Sequence, residues 1–205
     1  MKTTKLMAGL ALVASTLLTT APVLAQDQIA QDQTKDSIAS LTIKPGVRNV
    51  DSVSTLSFDN VTVSGNTAVT SNTTVAIKLS DYTCSLSGWQ LKVKRSDFAE
   101  ANDSSTKLDG VTLTLTEGGF DQSSSDDVDT TKDTVKADLE LGTDNVEVAT
   151  AGTGTGTGST TINYDGATLK LSEEIAKEIA KGKVKVGTYR STLTWTLTDA
   201  PTQTN

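Results

Sequence analysis

The stretch Tyr189-Arg190-Ser191-Thr192-Leu193-Thr194-Trp195-Thr196-Leu197-Thr198-Asp199-Ala200-Pro201 decides the fold class. Tyr189, Ser191, Leu193, Trp195 and Leu197 fall on one side of an extended chain, and Arg190, Thr192, Thr194, Thr196 and Thr198 on the other. Strict alternation with β-branched and aromatic residues is the pattern of a strand with one buried face. Asp199, Ala200 and Pro201 close it, because proline has no amide to donate to a ladder. Far earlier in the chain, Ser87-Gly88-Trp89-Gln90-Leu91-Lys92-Val93 repeats the pattern. Trp89, Leu91 and Val93 share one face there, and Gln90, Lys92 and Lys94 the other. These two runs hold both tryptophans of the chain, each with a leucine two residues on.

Working outward, short candidate strands follow one another: Leu41–Ile43, Thr55–Phe58, Val61–Val63, Thr74–Leu79, Val111–Thr116, Val135–Leu141, Val146–Val148, Thr160–Tyr164 and Ala167–Leu171. Asp165-Gly166 between the last two has the form of a two-residue hairpin turn. Many short strands separated by Gly, Asn, Asp and Ser predict an all-β single domain, a sandwich or barrel of antiparallel strands over residues 38–205. Ser172–Lys181 predicts one short helix near the C-terminal third. Ser172 caps it, Glu173 and Glu174 suit its first turn, Lys177 and Lys181 its last, and Gly182 stops it. Ile175 and Ile179 share a face that can lie on the sheet.

Two low-complexity stretches interrupt the strands. Asp121–Asp133 is acidic and serine-rich; it lacks the ordered ligand spacing and turn glycine of a helix-loop-helix calcium site, and reads as a solvated loop. Gly152–Gly158, GTGTGTG, reads as a flexible loop, since no Lys-Ser/Thr pair follows to make it a phosphate cradle.

The first residues form a targeting segment. Lys2 and Lys5 precede an apolar run from Leu6 to Leu18, and Val23-Leu24-Ala25 predicts cleavage after Ala25, so 1–25 is a signal peptide. Gln26 to about residue 37 is a polar, flexible lead-in. The apolar run is too short for a convincing membrane span, and neither a lipid-anchor cysteine nor an LPxTG-type sorting sequence is visible. The expectation is export followed by non-covalent retention or release. Lys2 and Lys5 are two of 18 basic residues against 25 acidic ones, so their removal shifts the net charge from −7 to −9. A chain this acidic excludes nucleic acid, which requires a clustered basic face.

The single cysteine, Cys84, cannot form an internal disulfide, and reads as a small buried hydrophobe on a strand. Without histidine, Ser-His and Cys-His nucleophile pairs and histidine-based zinc sites are excluded. Carboxylates are plentiful, but nothing marks a pair for glycoside hydrolysis, and aromatics, at 4%, are scarce for a sugar-cleaving cleft. The expectation is a binding module, with no enzymatic activity, no cofactor and no metal. The indoles leave two readings open. They pack inward beside Leu91, Val93, Leu193 and Leu197, or they offer a stacking surface to glycan rings; their apolar same-face neighbours favour the core. On the opposite face, Lys92 and Lys94, with Arg95 beside them, are candidate contacts for wall carboxylates or phosphates.

The Trp89-Gln90-Leu91 run with Val93, its preceding Ser-Gly, and the long Tyr189–Pro201 run resemble the two motifs of WxL-domain surface proteins of Gram-positive bacteria. The resemblance covers most of the chain from about residue 40, and departs from the family pattern at the charged segment Ser172–Lys185. It implies a secreted protein held non-covalently on the cell wall through peptidoglycan. It also implies surface complexes with other WxL-system proteins, including a membrane-anchored partner. It marks Trp89, Leu91, Val93, Tyr189, Leu193, Trp195 and Leu197 as motif positions, whether as ligand contacts or as scaffold. A host-facing adhesin that binds matrix protein or glycan is the alternative.

Overall fold

The computed structural model describes residues 35–58, 60, 68–71 and 74–200 of the 205. The predicted leader and the candidate strand Val61–Val63 lie outside the described residues. The described strands run β1 (Arg48–Val53), β2 (Ala68–Ser71), β3 (Val75–Asp81), β4 (Trp89–Arg95), β5 (Phe98–Glu100), β6 (Asp103–Leu108) and β7 (Val111–Phe120). They continue as β8 (Thr134–Val135), β9 (Leu139–Leu141), β10 (Val146–Ala151), β11 (Gly158–Leu171), β12 (Tyr189–Arg190) and β13 (Leu193–Asp199), with one helix, α1 (Glu173–Ala180), before β12. All pairings are antiparallel. One sheet has the order β1-β3-β11-β7-β9, with β2 also on β11; a second has the order β13-β4-β10-β8; a small third is β12-β5-β6. The fold is all-β with one short helix, as expected; of the two expected forms it is the sandwich, and among the described residues no barrel closes.

The core is made by the alternating residues of both large sheets. Val75, Ile77 and Leu79 of β3, Val111, Leu113 and Leu115 of β7, and Ile162 and Tyr164 of β11 meet Trp89, Leu91 and Val93 of β4 and Val148 and Ala151 of β10. Their polar neighbours face outward, which is how period-two patterning turns a strand into one wall of a sandwich. Trp89 spans the layers: its ring meets Phe120 of β7 edge-on, centroids 6.5 Å apart at 74°. The helix forms as predicted. Ser172 accepts the Ile175 amide at 3.3 Å, and Ile175 and Ile179 pack against the core.

Several expectations are corrected. No strand forms at Leu41–Ile43, whose Leu41 and Ile43 are exposed, and none forms at Thr55–Phe58. The first strand is instead Arg48–Val53, whose largely polar sequence and bulge at Val50–Ser52 hide the alternation. Val135–Leu141 is two strands in different sheets. The predicted hairpin at Asp165-Gly166 is the interior of the 14-residue strand β11. β7 pairs with it from Ile162 to Leu171 without a shift of register, and β3 and β2 cover its other edge in turn. The pairs flanking Asp165-Gly166, to β7 on one edge and to β3 and then β2 on the other, outweigh one local turn preference. Tyr189–Asp199 is also not one strand: Tyr189 and Arg190 pair with β5, and the ribbon with β4 begins at Leu193. Cys84 is exposed and lies not on a strand but in the segment between β3 and β4, with φ of 56°.

The two low-complexity stretches are one structure. The Gly152–Gly158 segment is pinned over the end of β4 by the acidic stretch beside it. Asp133, only 5% exposed, accepts the Thr155 hydroxyl at 2.5 Å and the Gly152 amide at 2.9 Å. Asp127 accepts the Thr157 hydroxyl at 2.8 Å, and Asp126 the Ser159 amide at 2.7 Å. So placed, the Gly156 carbonyl accepts the buried Trp89 indole N–H at 3.0 Å. Gly156 has φ of 72°, and a Cβ there would stand 2.5 Å from the indole nitrogen and closer still to the Ala151 side chain. Gly154, with φ of 82°, faces open space. Gly156→Ala should therefore destabilise the domain by about 2–4 kcal/mol through strain and overpacking together. Gly154→Ala, which carries backbone strain alone, should cost about 1 kcal/mol; urea unfolding midpoints of the two variants check the difference.

Candidate functional site

The two tryptophan-bearing runs meet. β13 pairs with β4 over its whole length, Leu193 opposite Arg95, Trp195 opposite Val93, Leu197 opposite Leu91 and Asp199 opposite Trp89. Cross-strand neighbours point to one face, so Trp89, Leu91, Val93, Leu193, Trp195 and Leu197 all lie on the inner side of this ribbon. Depth separates them. Trp89, Leu91 and Val93, on the interior strand, are at most 1% exposed, whereas Leu193, Trp195 and Leu197, on the edge strand, are half-buried against the core. Tyr189 belongs to the third sheet, where its hydroxyl donates to the Lys185 carbonyl at 2.8 Å.

The outer side of the ribbon is polar. Lys92 is half-buried and Lys94 exposed; they stand opposite exposed Thr196 and Thr194, with Thr198 opposite Gln90. Gln90 is turned to Glu147 of β10 at 2.5 Å, and neither lysine is in an ion pair among the described residues. Beyond Lys94 the surface dips into an open depression of about 370 Å³ shared by Ser96, Asp97, Thr192 and Thr194. Arg95 borders it, but its guanidinium is occupied. It donates to the carbonyls of Leu141 at 2.8 Å, Val111 at 2.9 Å and Ser96 at 3.1 Å, and lies 5.4 Å from the centre of the Phe98 ring. Arg95 braces the joint between the sheets.

The residue that sequence reasoning missed is Arg48. Its guanidinium donates twice to Asp81, at 2.9 and 2.7 Å, to Asp199 at 2.6 Å and to the Gly88 carbonyl at 3.0 Å. Ser87 also donates to Asp199, at 3.2 Å. The clamp therefore fastens the Ser-Gly before Trp89 and the Asp after Leu197 to both β1 and β3. Burial pushes the Asp81 carboxyl up, but the Thr83 hydroxyl and amide and then Arg48 more than offset it and hold it below the usual range. Arg48 and Ser87 hold Asp199 low as well. Ser87 and Asp199 flank the two motifs and were visible as such; Arg48 sits in a polar stretch with no pattern of its own.

The family model of the WxL domain, described as surface cell wall-binding, matches residues 8–201 of the 205. The chain belongs to the WxL family. No curated protein and no solved structure matches it. The WxL domain is a cell wall-binding domain of the cell surface, and this protein is a surface protein of that kind. In this WxL chain the two W-x-L tripeptides are neighbours in one ladder, their tryptophans on one face. Among the described residues no helix is long and apolar enough to cross a membrane, and no group of acidic or cysteine side chains is arranged to hold a metal ion.

Arg48 and Asp81 side chains are 9% and 6% exposed, so removing the cation strands a buried carboxylate. Arg48→Met should cost about 2–4 kcal/mol, read from chemical denaturation. The Asp199 arm, 77% exposed, adds little to that figure because water screens it. The two carboxyls have depressed folded-state pKa values. Their contribution is complete above the unfolded value of about 3.9 and is lost as pH falls through the lowered ones. The wild-type melting temperature should therefore fall below about pH 4 more steeply than that of Arg48→Met, a difference that differential scanning calorimetry against pH measures.

Proposed function

We propose that this WxL domain attaches the protein non-covalently to peptidoglycan through the outer face of the β4–β13 ribbon. The observation that carries the reading is the pair of lysines, Lys92 and Lys94, in no ion pair among the described residues and set among Thr194, Thr196 and Thr198 on the strands that bear both family motifs. In a chain of net charge −7, two lysines on a hydroxyl-bearing sheet face, with Glu147 of β10 opposite Lys92, are suited to meet the carboxylates and hydroxyls of an acidic, hydroxyl-rich polymer. Peptidoglycan has stem-peptide carboxylates for the ammonium groups and sugar hydroxyls for the threonines. The open depression next to Lys94 gives a short branch of such a polymer room to sit. Half-buried Leu193, Trp195 and Leu197, with Trp89, Leu91 and Val93 beneath, act in this reading mainly as scaffold that holds the ribbon against the core.

The protein acts here as a binding module without catalysis. Family membership supports its place in surface complexes with other WxL-system proteins and a membrane-anchored partner. Pure protein should sediment with isolated peptidoglycan, and Lys92→Ala/Lys94→Ala should weaken retention by about tenfold while the circular dichroism spectrum stays unchanged. Retention only on host matrix proteins would favour the adhesin reading instead. Undiminished retention of the double variant would move the wall contact off this face.

A further inference from the structure

β13 is an edge strand with a self-complementary sequence. Thr192-Leu193-Thr194-Trp195-Thr196-Leu197-Thr198 reads the same in both directions. Its backbone groups divide cleanly. The Ser96 amide donates to Thr192 at 2.8 Å and the Ala200 amide to Gly88 at 3.3 Å, so the even-numbered residues are turned toward β4. In an antiparallel pair this polarity alternates, and the N–H and C=O groups of Leu193, Trp195, Leu197 and Asp199 point away from β4. Among the described residues no strand pairs with that side.

Most other sheet edges among the described residues are bulged, charged or short: β1 is bulged and bears Arg48 and Asp51, β6 bears Lys107, β2 has four residues, and β8, β9 and β12 have only two or three. β13 has seven residues in unbroken register, with no proline, no bulge and no charge before Asp199. Such an edge is a template for another strand.

We infer that the occupant is a second copy of this chain, with the two β13 strands pairing antiparallel about a twofold axis at Trp195. In that register Leu193 meets Leu197 of the partner copy, Trp195 meets its own counterpart, and Thr194 meets Thr196. The outward-pointing groups of Leu193, Trp195 and Leu197 then exchange hydrogen bonds. The only charge in the paired span, Asp199, falls opposite Ser191, so no like charges oppose. The half-buried Leu193, Trp195 and Leu197 cover their remaining exposed surface on one another, as an isologous contact requires. The two four-stranded sheets become one continuous sheet. This dimer does not depend on which face meets the wall.

Sedimentation of the full mature chain across the micromolar range tests it. The weight-average mass should rise from one chain to two with concentration, and more readily as added salt screens the acidic net charge. In Thr194→Glu/Thr196→Glu each new carboxylate sits opposite Lys94 or Lys92 within its own chain, which the monomer tolerates. Across the axis it faces another carboxylate, so the dimer dissociation constant should rise at least tenfold. Thr194→Glu/Thr196→Lys sets opposite charges across the axis and should keep the dimer. A wild-type chain that stays monomeric, or a dimer indifferent to the paired glutamates, overturns the proposal. Should the glutamate variant fold poorly, oxidation of Thr194→Cys/Thr196→Cys in a Cys84→Ser background decides. Residues 194 and 196 form a non-hydrogen-bonded pair, with Cα atoms about 4.5 Å apart and within disulfide reach. A covalent dimer supports the axis, and its absence overturns it.

Discussion

A buried indole has to be given a hydrogen-bond acceptor, and much of this structure follows from how Trp89 gets one. The ring is 1% exposed and its N–H donates to the Gly156 carbonyl. That carbonyl stands where it does because the glycine-threonine segment closes over the end of β4, and the segment is held there by Asp133 and Asp127. The aspartates in turn make the acidic stretch before β8 a folded one. Glycine is required at 156 because the backbone approaches the indole edge too closely to admit a side chain. One donor in the core thus organises two segments that look unstructured by composition.

The second organising contact is electrostatic. Arg48 joins β1, β3, the turn before β4 and the end of β13 through Asp81, Gly88 and Asp199. The two large sheets contribute different strands to this clamp, so it fixes their relative placement at one end of the sandwich. At the other end of β4, Arg95 does a similar job, with its donors on main-chain carbonyls of β7 and β9. Between the two arginines lies the β4–β13 ribbon, and the tryptophans and leucines of the two motifs form its inner lining. The outer face is left to Lys92, Lys94 and the threonines.

Much of the fold was legible where one physical signal dominated. β3, β4, β7 and β13 alternate apolar and polar residues because one face of each is buried, and the helix carries its own cap at Ser172 and its own apolar stripe. The misreadings have a common cause. Asp165-Gly166 prefers a turn locally, yet it lies in a strand paired on both edges. Arg48–Val53 has weak alternation, yet it completes a sheet against β3. Leu41–Ile43 has strand-forming residues, yet among the described residues no strand pairs with it and its side chains stay exposed. At the candidate site, Lys92 and Lys94 could be assigned to one face from period two alone, while the occupation of Arg95 could not, because its acceptors come from remote carbonyls.

The amino-acid sequence by itself determined the class of the protein: an all-β domain, the WxL family with its two motifs, and the apolar face of each motif strand. It could do so because hydrophobic alternation and motif spacing are local properties. Only the tertiary structure decided that the two motifs share a ladder, that Trp89 is sealed while Trp195 stands at an edge, and that Arg48 locks them together. Those outcomes are set by long-range pairing and by which backbone groups are left without partners, quantities that no single stretch of the chain contains.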